Sequence, residues 1–325
     1  MAMSGVLTLD EIARRVVVDY LGVTAGETFL LVTDATVAPT LSDALLNAAS
    51  DASVDPTHAI IRTRATSGQE PPPPVAAAMA EADVCLCIAS KSIYHTNATG
   101  RAKSAGTRGC FNSPSELTAW THGAMTGDYL AIREVAERLA ERLRDGEWVT
   151  VTSPSGCDVV VSTKGREPRG WYTAIVREPG EISAFPGGEV SFPPVEGTSN
   201  GVIVLEHVMT DIGPLSEPIT ITIEDGLATE ITGGAEAERL LEMIDGVPGA
   251  RNLAELGIGL NPAARLSDDI TEVKKRAGTA HFALGDNAGG YGGIVECPLH
   301  LDGLVFAPTI AIDGDIVIDA GVVLI

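Results

Sequence analysis

Positive charge is scarce in this chain: 22 Lys and Arg stand against 44 Asp and Glu, a formal net charge of −22 at pH 7. Such a surface repels phosphate backbones and anionic lipid headgroups, which argues against nucleic acid and membranes as partners and leaves a surface that favours cations. Long apolar runs are missing too. No stretch approaches the roughly 18 uninterrupted apolar residues that span a bilayer, and the first residues lack a basic segment followed by an apolar core. The five cysteines, Cys85, Cys87, Cys110, Cys157 and Cys297, form an odd, dispersed set without a CxxC pair. That fits a reducing compartment, and the expectation is a cytoplasmic protein. Aromatic residues are only 4% of the chain, so Trp171 and Tyr172 read as packing at least as readily as pocket lining. No repeat of solenoid period is present.

What is present suits two ordinary domains. The 325 residues are 45% hydrophobic, enough for sizeable cores. Thr8-Leu9-Asp10-Glu11 has the spacing of a capping box, and Ile12, Val16 and Val17 continue an apolar stripe, so the pattern predicts a helix there. Apolar runs at 29–32, 59–61 and 84–88 read as buried strands. Thr33-Asp34 reads as the cap of a helix through Leu41, Leu45 and Leu46, and the four prolines at 71–74 read as an extended loop. Helices between buried strands imply a parallel sheet covered on both faces. An amphipathic helix over 128–144 closes this half.

After Trp148 the periodicity falls to two. Strands are predicted at 148–151, 159–161, 202–205 and 219–223, with tight turns at Asp225-Gly226 and Asp313-Gly314 and one helix near 235–244. The expected architecture is an α/β N-terminal domain with a largely parallel sheet, residues 1–146, followed by a β-rich α+β domain, residues 147–325.

Candidate chemistry concentrates near the C-terminus. His300-Leu301-Asp302 on a strand would place both side chains on one face, where they can share a cation; the alternative is a surface turn ending at Asp302-Gly303. His281 precedes a Gly-rich run, 285–293, which lacks both GxxxxGK[ST] and a GxGxxG between strand and helix, so a nucleotide loop is disfavoured. Glu189 and Glu255 stand in apolar or glycine-bounded settings, where a buried carboxylate needs a partner: a metal, a helix end or an arginine. Elsewhere, Ser90 with His95 lacks a GxSxG elbow. His207 sits in a strand, and Lys164, Arg166 and Arg169 gather positive charge that can meet a substrate carboxylate or simply flank a hairpin.

The segments GGEVSFPPVEG, LAELGIGLNP, AHFALG and CPLHLDGLVF, in this order, resemble the metallo-aminopeptidase T family. The resemblance covers about residue 180 to the C-terminus and implies that Glu189, Glu255, His281, His300 and Asp302 ligate two divalent ions (Zn, Co or Mn) in a homodimer. A tyrosine of that family falls on Ala288 by simple spacing, with Tyr291 three residues on. The same half is similar to the 2,5-dihydroxypyridine 5,6-dioxygenases, through Gly233 to Glu238 and the His-Leu-Asp ending. Those mononuclear iron enzymes use a histidine where this chain has Glu255 and lack counterparts of Glu189 and His281.

The first expectation is therefore a β-rich metal-binding catalytic domain that hydrolyses an amide of a small substrate or peptide N-terminus, with Glu189 and Glu255 catalytic and metal-activated water as nucleophile. The alternative is a mononuclear Fe(II) ring-cleaving dioxygenase acting on a hydroxylated N-heterocycle, with His281, His300 and Asp302 as a facial triad.

Overall fold

The computed structural model describes residues 7–169, 173–288 and 291–325. The chain divides into two compact units, residues 1–130 with 171–187 and residues 131–170 with 188–325.

In the first unit the capping box forms as the spacing predicts: Thr8 accepts from the Glu11 N–H, and Glu11 reaches back to the Thr8 N–H. Helix Leu9–Arg14 runs on into a π-helical turn, Arg15–Tyr20. A five-stranded parallel sheet has the order Thr57–Ile61, Phe29–Asp34, Val84–Ile88, Arg108–Cys110, Ile182–Ser183. Its central strands are buried along their whole length. Leu30, Val32, Met79, Cys85, Cys87 and Phe111 form one core cluster, and each fully buried large side chain of this kind stabilises the fold by roughly 1.5–3 kcal/mol.

Two expectations change here. Helix Pro39–Asp51 starts after Ala38, not at Thr33-Asp34; Asp34 ends a strand and its carboxylate bonds Thr36 and Ser90 instead. The proline run is not loop throughout, since Pro73 and Pro74 open helix Pro73–Glu81. Proline suits the first helical turn, where its fixed φ helps and no amide hydrogen is missed.

The second unit is built on a large curled antiparallel sheet of 13 strands. Its main path runs Val322–Val323, Asp315–Asp319, Thr309–Ile312, Trp148–Thr152, Asp158–Ser162, Asn200–Met209, His300–Phe306, Thr279–Gly285, Leu253–Gly259, Glu189–Phe192. The Asp-Gly turns form as predicted, with positive φ at both residues of Asp225-Gly226 and of Asp313-Gly314, the type I′ geometry that matches strand twist. Helix Ala235–Ile244 also lies where expected.

Beside the single boundary expected at residue 146, contacts within the chain divide it discontinuously, with residues 171–187 counted in the first unit and residues 131–170 in the second. Helix Tyr129–Asp145 explains the shift. Arg144 pairs with Glu167, Arg142 with Asp315, and the Leu143 carbonyl accepts from Thr163, so most of the helix is tied to the unit that follows it. Among the described residues no helix is long and apolar enough to cross a membrane.

Candidate metal centre

Four neighbouring strands of the second unit carry all five residues singled out above. Glu189 opens Glu189–Phe192, Glu255 lies in Leu253–Gly259, His281 in Thr279–Gly285, and His300 and Asp302 in His300–Phe306. Register sets their common face. Glu189 is opposite Gly259, His281 opposite Gly257, Ala283 lies between Glu255 and Asp302, and His300 is opposite Gly285. Directly paired residues project to the same side of a sheet. The functional groups therefore alternate with glycine and alanine, which leaves room for them. Gly257 is the tightest case: a Cβ there would lie 2.0 Å from Cε1 and 2.2 Å from Nε2 of His281.

The groups converge on one another. His281 Nε2 lies 3.7 Å from Glu189 Oε2, 4.0 Å from Glu255 Oε1 and 3.8 Å from Asp302 Oδ1. His300 Nε2 is 2.8 Å from Glu255 Oε2 and 3.6 Å from Asp302 Oδ1. Glu255, His300 and Asp302 each offer a donor atom within 4.8 Å of the others. His300 is held from behind, its Nδ1 2.8 Å from the Asp286 carbonyl, so Nδ1 carries a proton in either charge state and Nε2 turns to the cluster. The Tyr291 ring stacks on His300 at 4.7 Å, and the Arg169 guanidinium lies 4.3 Å from the centre of that ring.

Four buried polar atoms here have no hydrogen-bond partner: Glu189 Oε2, Asp302 Oδ1 and both ring nitrogens of His281. Burying unsatisfied polar atoms costs free energy. A divalent metal resolves most of that cost, because ligands about 2.1 Å from an ion sit roughly 3.0–4.2 Å from one another. The 3.6–4.0 Å separations fall in that window. The donor set fits a metal.

Two lysines complete the charge pattern. Lys274 Nζ lies 2.8 Å from Asp302 Oδ2, and Lys275 Nζ pairs with Glu189 Oε1. Burial works against ionisation at all three acids, but the cations outweigh it and lower each pKa: Lys275 at Glu189, His300 and Lys274 at Glu255, and Lys274 at Asp302. Burial also works against a charged Lys274, whose pKa is nevertheless raised by Asp302 and Glu189. Burial lowers the Lys275 pKa despite Glu189. It keeps His281 neutral, helped by the Lys274 charge. His300 goes the other way: Asp302 and Glu255 overcome its burial and push its pKa up to about 10. Without an ion, protonated His300 and the two lysines balance the three carboxylates.

The profile of the family described as NicX, 2,5-dihydroxypyridine 5,6-dioxygenase, matches residues 13–325. The chain belongs to this family. Within the 2,5-dihydroxypyridine 5,6-dioxygenase family, one curated relative, from Pseudomonas putida KT2440, is 30% identical over 184 residues, 49% of each protein, so the match spans about half the length of that relative. A solved structure of 2,5-dihydroxypyridine dioxygenase from P. putida KT2440 is similar at a TM-score of 0.80 and 21% identity, over 97% of this chain and 96% of that one. Wild-type AmpT from Thermus thermophilus is similar at a TM-score of 0.70 and 17% identity, over 98% and 99%. At these identities the two structures speak for the fold alone. Family membership and the donor cluster together support an enzyme with a metal site.

The other residues singled out from sequence go elsewhere. Ser90 donates its hydroxyl to Asp34, and His95 stands edge-on to Tyr94. His207 bonds the Ser267 carbonyl at 2.9 Å. Arg166 reaches the Gly292 carbonyl at 2.6 Å and pairs with Glu196, while Lys164 pairs with Glu147. Trp171 and Tyr172 lie outside the described residues. Lys274 and Lys275 escaped sequence reasoning because lysine is normally solvated, and nothing in TEVKKR marks Lys275 as buried or Lys274 as half-buried.

Proposed function

We propose that this protein is a mononuclear, metal-dependent dioxygenase that opens a hydroxylated N-heterocycle such as 2,5-dihydroxypyridine. Charge carries the reading. Three carboxylates against Lys274 and Lys275 leave one negative charge, and one divalent ion makes it one positive charge, which a singly deprotonated substrate cancels. Two divalent ions would add two further positive charges, to be offset by loss of a proton from Lys275, whose pKa burial lowers, or from a metal-bound water. The family assignment supports the same reading.

His281, His300 and Asp302 would hold the ion as two histidines and one carboxylate, with Asp302 Oδ1 as the corner shared by both rings. Bound Fe(II) supplies the one-electron chemistry that lets O₂ react with an aromatic ring. The rest belongs to the chain. Lys274 occupies Asp302 Oδ2, so this carboxylate presents one oxygen. The Tyr291 ring and the Asp286 carbonyl fix the His300 imidazole. Glu255 Oε2, which faces the His300 ring nitrogen here, is placed to accept a substrate hydroxyl proton. Glu189 holds Lys275 beside it.

A second reading has one observation in its favour. Glu189 and Glu255 bring the donor residues to five, more than a facial triad uses, and the resemblance to aminopeptidase T makes all five the ligands of two ions that activate water. Metal analysis of anaerobically purified protein separates the two. One iron per chain, with O₂ uptake that depends on 2,5-dihydroxypyridine, is expected. Two Mn, Co or Zn per chain with turnover of dipeptides or simple amides would overturn the proposal.

A further inference from the structure

We infer that Glu196, which lies outside the five candidate ligands, is a positioning residue for His300: with Arg166 and Asn287 it fastens the connection 286–299, and this connection sets the direction of the imidazole. The inference rests on His300 being a metal ligand, and it holds for one ion or two.

Two groups of this connection hold His300. The Asp286 carbonyl accepts from Nδ1 at 2.8 Å, and the Tyr291 ring stacks on the imidazole at 4.7 Å. Each is next in sequence to a residue tied down by a distant side chain. Asn287, after Asp286, donates from Nδ2 to Glu196 Oε1 at 2.8 Å; Gly292, after Tyr291, accepts through its carbonyl from Arg166 Nη1 at 2.6 Å. Glu196 joins the two ties, because its Oε2 pairs with Arg166 Nη2 while Oε1 also accepts from the Ile294 N–H at 3.0 Å. One carboxylate thus takes hydrogen bonds from both sides of Tyr291.

The surrounding bonds make the arrangement specific. Asn287 is fully buried. Its N–H donates to the Val295 carbonyl at 3.0 Å, its Oδ1 accepts from the Val295 N–H at 2.9 Å, and its carbonyl accepts from the Gly293 N–H at 2.8 Å. A Cβ on Gly293 would lie 2.3 Å from Asn287 Cγ, so the chain closes on this side chain only with glycine there. Asp286 is pinned as well: its N–H donates to the Leu299 carbonyl at 2.7 Å, and its Oδ1 accepts from the Cys297 N–H at 3.2 Å. Glu196 follows strand Glu189–Phe192 and Arg166 follows strand Asp158–Ser162, so the clamp joins three separate segments. Their side chains are only 19% and 13% exposed, where water competes weakly with a charge-assisted bond. The consequence falls on the imidazole, since the partner of a ligand histidine's other ring nitrogen fixes its tautomer and its aim.

The test uses the full chain titrated anaerobically with Co(II). Glu196→Ala is expected to bind about tenfold more weakly than the parent, near the lower end of what an outer partner of a ligand histidine is worth. Glu196→Gln, which still accepts from Asn287 and Ile294, should recover most of that loss. In the proton NMR spectrum of the Co(II) form, the shifted Nδ1–H signal of His300 should exchange slowly with water in the parent and be lost to exchange in Glu196→Ala. Glu27→Ala, which breaks the Arg108 pair of the first unit, is the control: it should lower Tm while leaving Co(II) affinity and that signal unchanged. Should Glu196→Ala not fold, Arg166→Met, which removes the tie to Gly292, is expected to move affinity and signal in the same direction. Parent-like affinity and exchange in either variant that folds, or an equal loss in Glu27→Ala, would overturn the role of Glu196. Unchanged affinity in His300→Ala would instead overturn the reading of His300 as a ligand.

Discussion

Asp34 in the first unit and Asp302 in the second are both buried acids on β-strands, 2% and 6% exposed, yet their oxygens meet different surroundings. Asp34 Oδ1 accepts from the Thr36 amide and hydroxyl, and Oδ2 from the Ser90 amide and hydroxyl. Nothing is left over for a ligand. Asp302 gives Oδ2 to Lys274 and leaves Oδ1 unpartnered beside two histidine rings. A satisfied buried acid stabilises its own loop. An acid with one oxygen unsatisfied, among other unsatisfied donors, is arranged for something that is not protein. Asp34 ends a strand of a parallel sheet, where ligands often bind, and Asp302 lies inside a strand of an antiparallel one, so strand position alone points to Asp34 whereas the hydrogen-bond partners point to Asp302.

The comparison breaks most sharply at Asp302. Asp302→Asn or His300→Ala should lower metal content and turnover by more than the roughly 10–100-fold that loss of an outer hydrogen-bond partner costs a metal site, with the fold retained by circular dichroism. Gly257→Ala comes next. Its methyl group would displace the His281 ring, so destabilisation of about 1–3 kcal/mol by denaturant unfolding is expected, together with weaker metal binding. Asp34→Asn should cost a similar or smaller amount, about 1–3 kcal/mol, by leaving donors of Thr36 and Ser90 poorly matched, and it should leave metal content unchanged. Loss of metal in this variant would erase the distinction drawn between the two acids.

The smallest effect is one of pH. Burial works against ionisation of Asp34, but the hydrogen bonds from Thr36 and Ser90 outweigh it and hold its pKa below the ordinary value. A folded-state pKa lowered in this way contributes stability that is full above about pH 4, the unfolded value, and is lost as pH falls through the lowered one. Unfolding midpoints of parent and Asp34→Asn should therefore converge on acidification below about pH 4. A gap that stayed constant would remove the ionised carboxylate from the account.

Much of this was legible before any coordinates. Local rules carried well where one physical requirement dominates: the Thr8–Glu11 capping box, the Asp225-Gly226 and Asp313-Gly314 turns that need two positive φ angles, and the fully apolar strand at 84–88. The settings of the five polar residues taken singly left a turn, a core histidine, a helix end or an arginine partner open, and it was the resemblance to the aminopeptidase T family that singled them out as one set. Pro73 and Pro74 were misread because proline breaks a helix interior but suits its first turn, and the sequence does not mark which applies. The division of the chain depended on long-range pairs such as Arg144–Glu167. Lys274 and Lys275 were invisible because burial of a lysine is decided by the partners it meets, and Asp302 and Glu189 come from distant segments.

Anomalous scattering from a crystal grown and loaded anaerobically with Fe(II) tests the central claim most directly. The account predicts one peak per chain, bounded by His281, His300 and Asp302, with Lys275 still on Glu189. Two peaks, or one peak away from these residues, would contradict it.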